Sequence, residues 1–337
     1  MRTLAYFSMI LFFVVMLTCG PAMINVPVHK PAQIDISGIR NIAVVDFNGP
    51  RESGSLASSV LTTTLVQNGF YKVFERDRIA QILQEHQLAQ AGVVDESTAR
   101  QVGQLLGVDA LIFGQVISYD VEPDEVGTEK VEKKVGTGQY QIVTKGNKKV
   151  REEIKKTVIV DQEYRIRRGT VSVAFRTVNI ETGQLLASKE STESYDSGKI
   201  VEGRGTLKPR DAILNDLLTT ITRSFARMIS PHVVDEKLAL EGGKGHLKTG
   251  LQYAKNGLWR EAQNSFEMSV AAEPSNPSAY YNLGLAFEVA GEFDKAEKCF
   301  QKAIALKNKD LYFRALANLK KFKAEQEKLR QQLENQK

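Results

Sequence analysis

QLLGVDALIFGQVISY, residues 104 to 119, holds the end of a helix, a glycine stop and a buried strand in one short stretch. Gly107 ends the helix, and Ala110 to Tyr119 is apolar enough to lie in the middle of a sheet. Upstream, Asn41 to Phe47 (NIAVVDF) is a second β-branched apolar run, closed by Asn48-Gly49-Pro50. Between the two, Leu56, Val60, Leu61, Thr64 and Leu65 recur at helical spacing up to an Asn68-Gly69 cap, and Tyr71 to Glu75 alternates like a strand. Residues 76–90 and 97–106 read as two further helices. Downstream, Val171, Val173, Phe175 and Val178 mark a strand that turns through Glu181-Thr182-Gly183 into Gln184 to Glu193, an antiparallel hairpin. Pro209 then opens a helix carrying Ile213, Leu214, Leu217, Leu218, Ile221, Phe225 and Ile229 at three- and four-residue steps, and Pro231 stops it. Strands alternating with helices, followed by a hairpin and a closing helix, predict an α/β domain over residues 38–232, a mixed sheet with flanking helices.

Residues 121–168 have another character. They carry twelve Lys or Arg, glycines at 127, 136, 138 and 146, and no large apolar cluster. The stretch reads as a basic insert or a long exposed hairpin. Its charge suits an anionic partner such as lipid headgroups, and lysine-guarded edge strands give the same pattern.

The N-terminus breaks the soluble pattern. After Met1 and Arg2, Leu4 to Leu17 is an uncharged apolar run, too short to span a bilayer comfortably, and Thr18 to Pro21 follow it. Residues 1–18 are therefore expected to be a secretory signal peptide. Met16-Leu17-Thr18-Cys19 resembles the lipobox of bacterial lipoproteins, which implies that Cys19 is acylated; the alternative is a plain signal peptide. Residues 19–37, rich in proline and without periodicity, read as an extended tether.

Catalytic chemistry is hard to find in this chain. The 45 Lys+Arg against 40 Asp+Glu leave +5, too small an excess to imply nucleic acid. The four histidines and two cysteines have no ligand-like spacing, so no metal and no cofactor are expected. Gly242-Gly243-Lys244-Gly245 lacks the Ser or Thr of a phosphate loop and no predicted strand precedes it. Glu75, Asp77 and Glu85 lie close in sequence but read as solvated or helix-capping groups. The chain is expected not to be an enzyme.

From about residue 243 the chain repeats at a period of 34. Gly250, Tyr253, Gly257, Trp259, Ala262, Phe266 and Pro274 recur as Gly284, Phe287, Gly291, Phe293, Ala296, Phe300 and Asn308. This resembles the tetratricopeptide repeat. Gly250/Gly284 and Ala262/Ala296 let the two helices of a repeat approach, with aromatics filling the space between. A third unit from Asp310 dissolves into a charged capping helix, so residues 246–337 form an all-α stack after a linker at 233–245. Such a stack presents a groove to a peptide or protein partner, with Tyr253, Asn256, Tyr280, Asn282 and Phe287 as candidate lining residues; a purely structural or dimerising module is the alternative.

The first domain carries a second resemblance. IAVVDF at 42–47, GFYKVFERDRIAQILQEHQL at 69–88 and QLLGVDALIFGQVISY at 104–119 resemble the family of the curli-assembly secretion lipoprotein CsgG, with Val73, Glu75, Arg76, Leu106, Gly107, Asp109 and Gly114 on its pattern. The resemblance implies a periplasmic α/β domain tethered to the outer membrane. It also raises an alternative, a subunit of an oligomeric secretion channel built from hairpins at 121–168 and 189–208. Both segments are polar, and neither offers a lipid-facing stripe. The expectation is a non-enzymatic lipoprotein on the periplasmic side of the outer membrane. It would act as a scaffold or adaptor for assembly or secretion of envelope components, with protein partners and a possible homo-oligomer.

Overall fold

The computed structural model describes residues 22–36, 38–74, 107–146, 148–201 and 203–336. Cys19 and the helices expected at 76–90 and 97–106 lie outside them. The chain divides into two compact units, one of residues 22–31 with 233–331 and the other of residues 32–232 with those from Gln332 onward.

The larger unit is built on a five-stranded mixed sheet in the order β3-β2-β4-β7-β8. Strand β2 (Asn41–Val44) lies parallel to both β3 (Lys72–Phe74) and β4 (Ala110–Val121). The antiparallel side is β4 against β7 (Arg168–Asn179) and β7 against β8 (Leu185–Asp196). Burial explains the continuously apolar runs: Ile42, Val44, Ala110 and Ile112 face the main core, while Ala43 and Leu111, half a pleat away, are equally inaccessible. Helices α1 (Ser53–Asn68) and α2 (Arg210–Ile229) pack against each other and supply Leu61, Leu65, Ile213, Leu218 and Phe225 to that core. Phe175 stacks on Phe225 with ring centroids 4.3 Å apart and meets Phe47 edge-on at 5.6 Å.

Two residues of the CsgG-like pattern have visible structural work. Asp109 accepts hydrogen bonds from the backbone N–H of Arg40 at 2.8 Å and Asn41 at 2.7 Å, tying the starts of β2 and β4 together. Gly114 sits where a Cβ would stand 2.5 Å from the Ala174 carbonyl oxygen and 2.8 Å from the Phe47 ring, so only glycine fits.

The basic stretch forms β5 (Glu125–Lys145) and β6 (Lys148–Ile166), a hairpin interrupted by a bulge between Gly136 and Tyr140. Short β9 (Ile200–Val201) pairs with the base of β6.

The second unit holds the helical repeats: α3 (Gly245–Lys255), α4 (Trp259–Ala272), α5 (Pro277–Val289), α6 (Phe293–Leu306) and the long α7 (Asp310–Glu334). A Cβ on Gly250 would meet the Phe266 ring at 2.4 Å, and one on Gly284 the Phe300 ring at 2.5 Å. These glycines let an aromatic ring from the second helix lie on the backbone of the first.

Two segments differ from expectation. Residues 22–30, read as part of an extended tether, form strand β1 (Ala22–Lys30), and residues 232–240, read mostly as linker, form β10 (His232–Leu240). The two pair as a separate two-stranded sheet whose inward residues Ile24, Val26 and Leu240 join the core of the helical unit. A lone two-stranded sheet is marginal in water; an apolar helical surface beneath it supplies the missing burial.

Candidate protein-interaction surfaces

On α5, Tyr281, Leu285 and Glu288 fall on one face at helical spacing, with Asn282 beside Tyr281. That face meets β10. The Tyr281 hydroxyl donates to the Ala239 carbonyl at 2.7 Å. Asn282 is fully buried; its carbonyl accepts the Glu241 N–H at 2.9 Å and its amide donates to the Glu241 carbonyl at 2.8 Å. The Glu241 carboxylate is in turn held by Lys309 and by the Tyr312 hydroxyl. Burial pushes that carboxyl up, but the bonds from Lys309 and Tyr312 outweigh it and hold it below the usual glutamate range. The end of β1 is tied to α7: Lys30 pairs with Glu325 at 2.7 Å, and Gln326 donates to the His29 carbonyl at 2.8 Å. On α5, the part of the expected groove that carries Asn282 is thus covered by the chain's own segment at the end of β10.

This arrangement sorts the expected groove residues. Tyr253 and Asn256 are exposed, and Asn256 donates to the Gln252 carbonyl near the end of α3. Tyr280 is half-buried. Asn282 and Phe287 are interior groups, the first committed to Glu241 and the second 7% exposed in the core. A polar residue inside YYNLGLAF, at a position that the flanking apolar residues mark as buried, is the sequence signal for such an internal hydrogen-bonding role.

Beside the strand pair an open pocket of about 200 Å³ remains. Val26, Val28, Leu238, Val289, Phe293 and Phe322 wall it, with Glu236 and Glu288 among them. Phe293 and Phe322 meet edge to face at 5.6 Å. Lys30 sits at its rim with its ammonium 5.1 Å from the Phe322 ring centre, paired to Glu236 at 2.5 Å. Burial, reinforced by the Glu236 charge and only partly opposed by Lys30, pushes the Glu288 carboxyl from 4.5 up to about 7. The folded chain therefore holds a proton that the unfolded chain releases, and this contribution to stability is complete below pH 4.5 and lost as pH rises to about 7. The loss amounts to at most about 3 kcal/mol. Denaturant unfolding followed between pH 4 and 8 should show that decline, and Glu288→Gln should flatten it; an unchanged slope in the variant would assign the pH dependence elsewhere.

Cys299 is half-buried on α6, and burial pushes its thiol up to about 11, the behaviour of a packing residue. Among the described residues no helix is long and apolar enough to cross a membrane. On hairpin β5–β6 the register puts Glu129, Val131, Lys133 and Val135 on one face with Gln162, Val160, Val158 and Lys156. The other face carries Thr128, Lys130, Glu132 and Lys134 with Glu163, Asp161, Ile159 and Thr157. Charge thus interrupts the valine face and dominates its reverse. Residues 133–156 hold eight Lys or Arg against two Glu.

A family model described as curli production assembly/transport component CsgG matches residues 41–208, and a tetratricopeptide repeat model matches residues 277–310. No curated protein matches the chain. Among solved structures, a PelC dodecamer from Paraburkholderia phytofirmans is 12% identical, covering 61% of this chain and 99% of that one, with a TM-score of 0.30. Lipoprotein GNA1162 from Neisseria meningitidis is 17% identical, covering 56% and 98%, with a TM-score of 0.32. The C-terminal domain of LpoB from Salmonella enterica is 10% identical, covering 48% and 87%, with a TM-score of 0.27. Residues 41–208 of this chain are a domain of the CsgG family, and residues 277–310 are a tetratricopeptide repeat.

Proposed function

We propose that this protein is a non-enzymatic lipoprotein of the outer membrane, anchored through Cys19 and facing the periplasm. In this reading it is a scaffold or adaptor in the assembly or secretion of envelope components and engages a protein partner through its helical unit. The observation that carries the reading is the joining of a CsgG-family domain to a tetratricopeptide module in one chain. With β1 and β10 lying on α5 and α7, the partner meets the helical unit at what those strands leave open, the pocket of Phe293 and Phe322 and the exposed surface around Tyr253 and Asn256. Two acyl chains on one cysteine anchor a protein stably where one chain binds only marginally. Cys19→Ala should therefore abolish metabolic labelling with palmitate and move the protein from the membrane to the soluble fraction; retention in washed membranes would rule the anchor out.

A second reading, a subunit of an oligomeric secretion channel, is favoured by the length of hairpin β5–β6. Its strands of 21 and 19 residues exceed what a barrel needs, about 9–11. The charged residues on both of its faces favour the first reading.

A further inference from the structure

We propose that the pocket between β1, β10, α5 and α7 receives a basic side chain, lysine or arginine, from a protein partner, its charge set against Glu288 and its alkyl stem against Phe293, Phe322 and Val289.

Three observations carry this. First, the Glu288 carboxylate is mostly buried and makes no hydrogen bond or ion pair among the described residues. A carboxylate in that position is costly unless a cation is brought to it. Second, the chain already shows what this surface does with a cation. The Lys30 ammonium at the rim is gripped by Glu236 and Glu325 and approaches the Phe322 ring. Those two acids are occupied by Lys30, which leaves Glu288 as the acid in the pocket with no such partner. Third, the walls are apolar along the length that an alkyl stem would run, and the volume of about 200 Å³ accepts one long side chain. A neutral aliphatic group would satisfy the walls and leave the carboxylate uncompensated; a small hydrated cation would do the reverse. A charged head on an apolar stem satisfies both. His29 also lines the pocket, and the titratable groups set against Glu288 are Glu236 of β10, Lys30 of β1 and, on its own helix, Tyr281.

The inference deepens the adaptor reading and depends on it only for the source of the side chain. The test uses the full chain without any partner, so a failed pocket and a failed adaptor role are told apart. Calorimetric titration at pH 8, where Glu288 is ionised, would compare acetyl-Val-Lys-Val-amide and acetyl-Val-Arg-Val-amide with the norleucine peptide of the same length. At least one basic peptide should bind about tenfold more tightly than the norleucine peptide, and Glu288→Gln should erase that margin while leaving the weak norleucine binding in place. Equal binding of all three peptides by the unaltered chain would overturn the proposal, as would a margin that survives in Glu288→Gln. Spermidine binding more tightly than either basic peptide would overturn the assignment to a protein side chain.

Discussion

Replacing Phe175 with alanine should cost the larger unit about 3–5 kcal/mol, among the largest effects of any single side chain in it. Phe175 is fully buried at the centre of β7, stacked on Phe225 of α2 and in edge contact with Phe47. Truncation removes the ring that joins sheet to helix, and a site bounded by paired strands on both sides has little freedom to collapse into the void. Amide exchange read by mass spectrometry should show faster exchange throughout β4, β7 and α2. Phe313→Ala, at a residue 46% exposed on α7, serves as the control and should change little. Equal effects of the two substitutions would mean that the core has been placed wrongly.

Asn282→Ala should have the next largest effect, about 2–4 kcal/mol. The alanine would leave the N–H and the carbonyl of Glu241 both without the partner they now have, in a setting where Asn282 itself is fully buried. The loss differs in kind from that at Phe175, since it unfastens β10 from α5 and leaves the helix pairs, each packed through its own glycine and aromatic ring, in place. Exchange should rise in residues 232–241 and in their partner strand β1, while α4 and α6 stay protected. Uniform loss of protection over all five helices would show that the strands are integral to the helical stack.

Strand β2 and the start of β4 were legible because Ile42 to Val44 and Ala110 to Ile112 are buried on both faces, so IAVV and ALIF read as unbroken apolar runs. The helical repeats were legible for another reason: Gly250 and Gly284 admit Phe266 and Phe300, and a contact that only glycine allows recurs at a fixed interval in the sequence. Strands β1 and β10 were not. In AMINVPVHK, Pro27 and the prolines around it suggest an unpaired tether, yet Ile24, Val26 and Val28 alternate with Met23, Asn25, Pro27 and His29, and it is the alternate set that turns inward. That period of two is weak evidence over nine residues, and its partner HVVDEKLAL lies more than 200 residues away. The interaction site was half legible for the same reason. The repeat pattern pointed to the face of α5 that carries Asn282, but nothing local records that the chain's own strands lie on that face, so Asn282 and Phe287 read as available when they are not.

If the CsgG-family domain serves a tethered adaptor, the long hairpin β5–β6 stays in water. Val158 lies on the valine face of β6, the face that would turn to lipid in a barrel. A Val158→Cys chain, with Cys299→Ser to remove the competing thiol, can be labelled with an environment-sensitive fluorophore and reconstituted through its acyl anchor into vesicles. A hairpin that stays in water should give emission at the wavelength of the free dye in water and full quenching by aqueous iodide. A blue-shifted emission that iodide cannot reach would place the hairpin in the bilayer and make the protein a channel subunit.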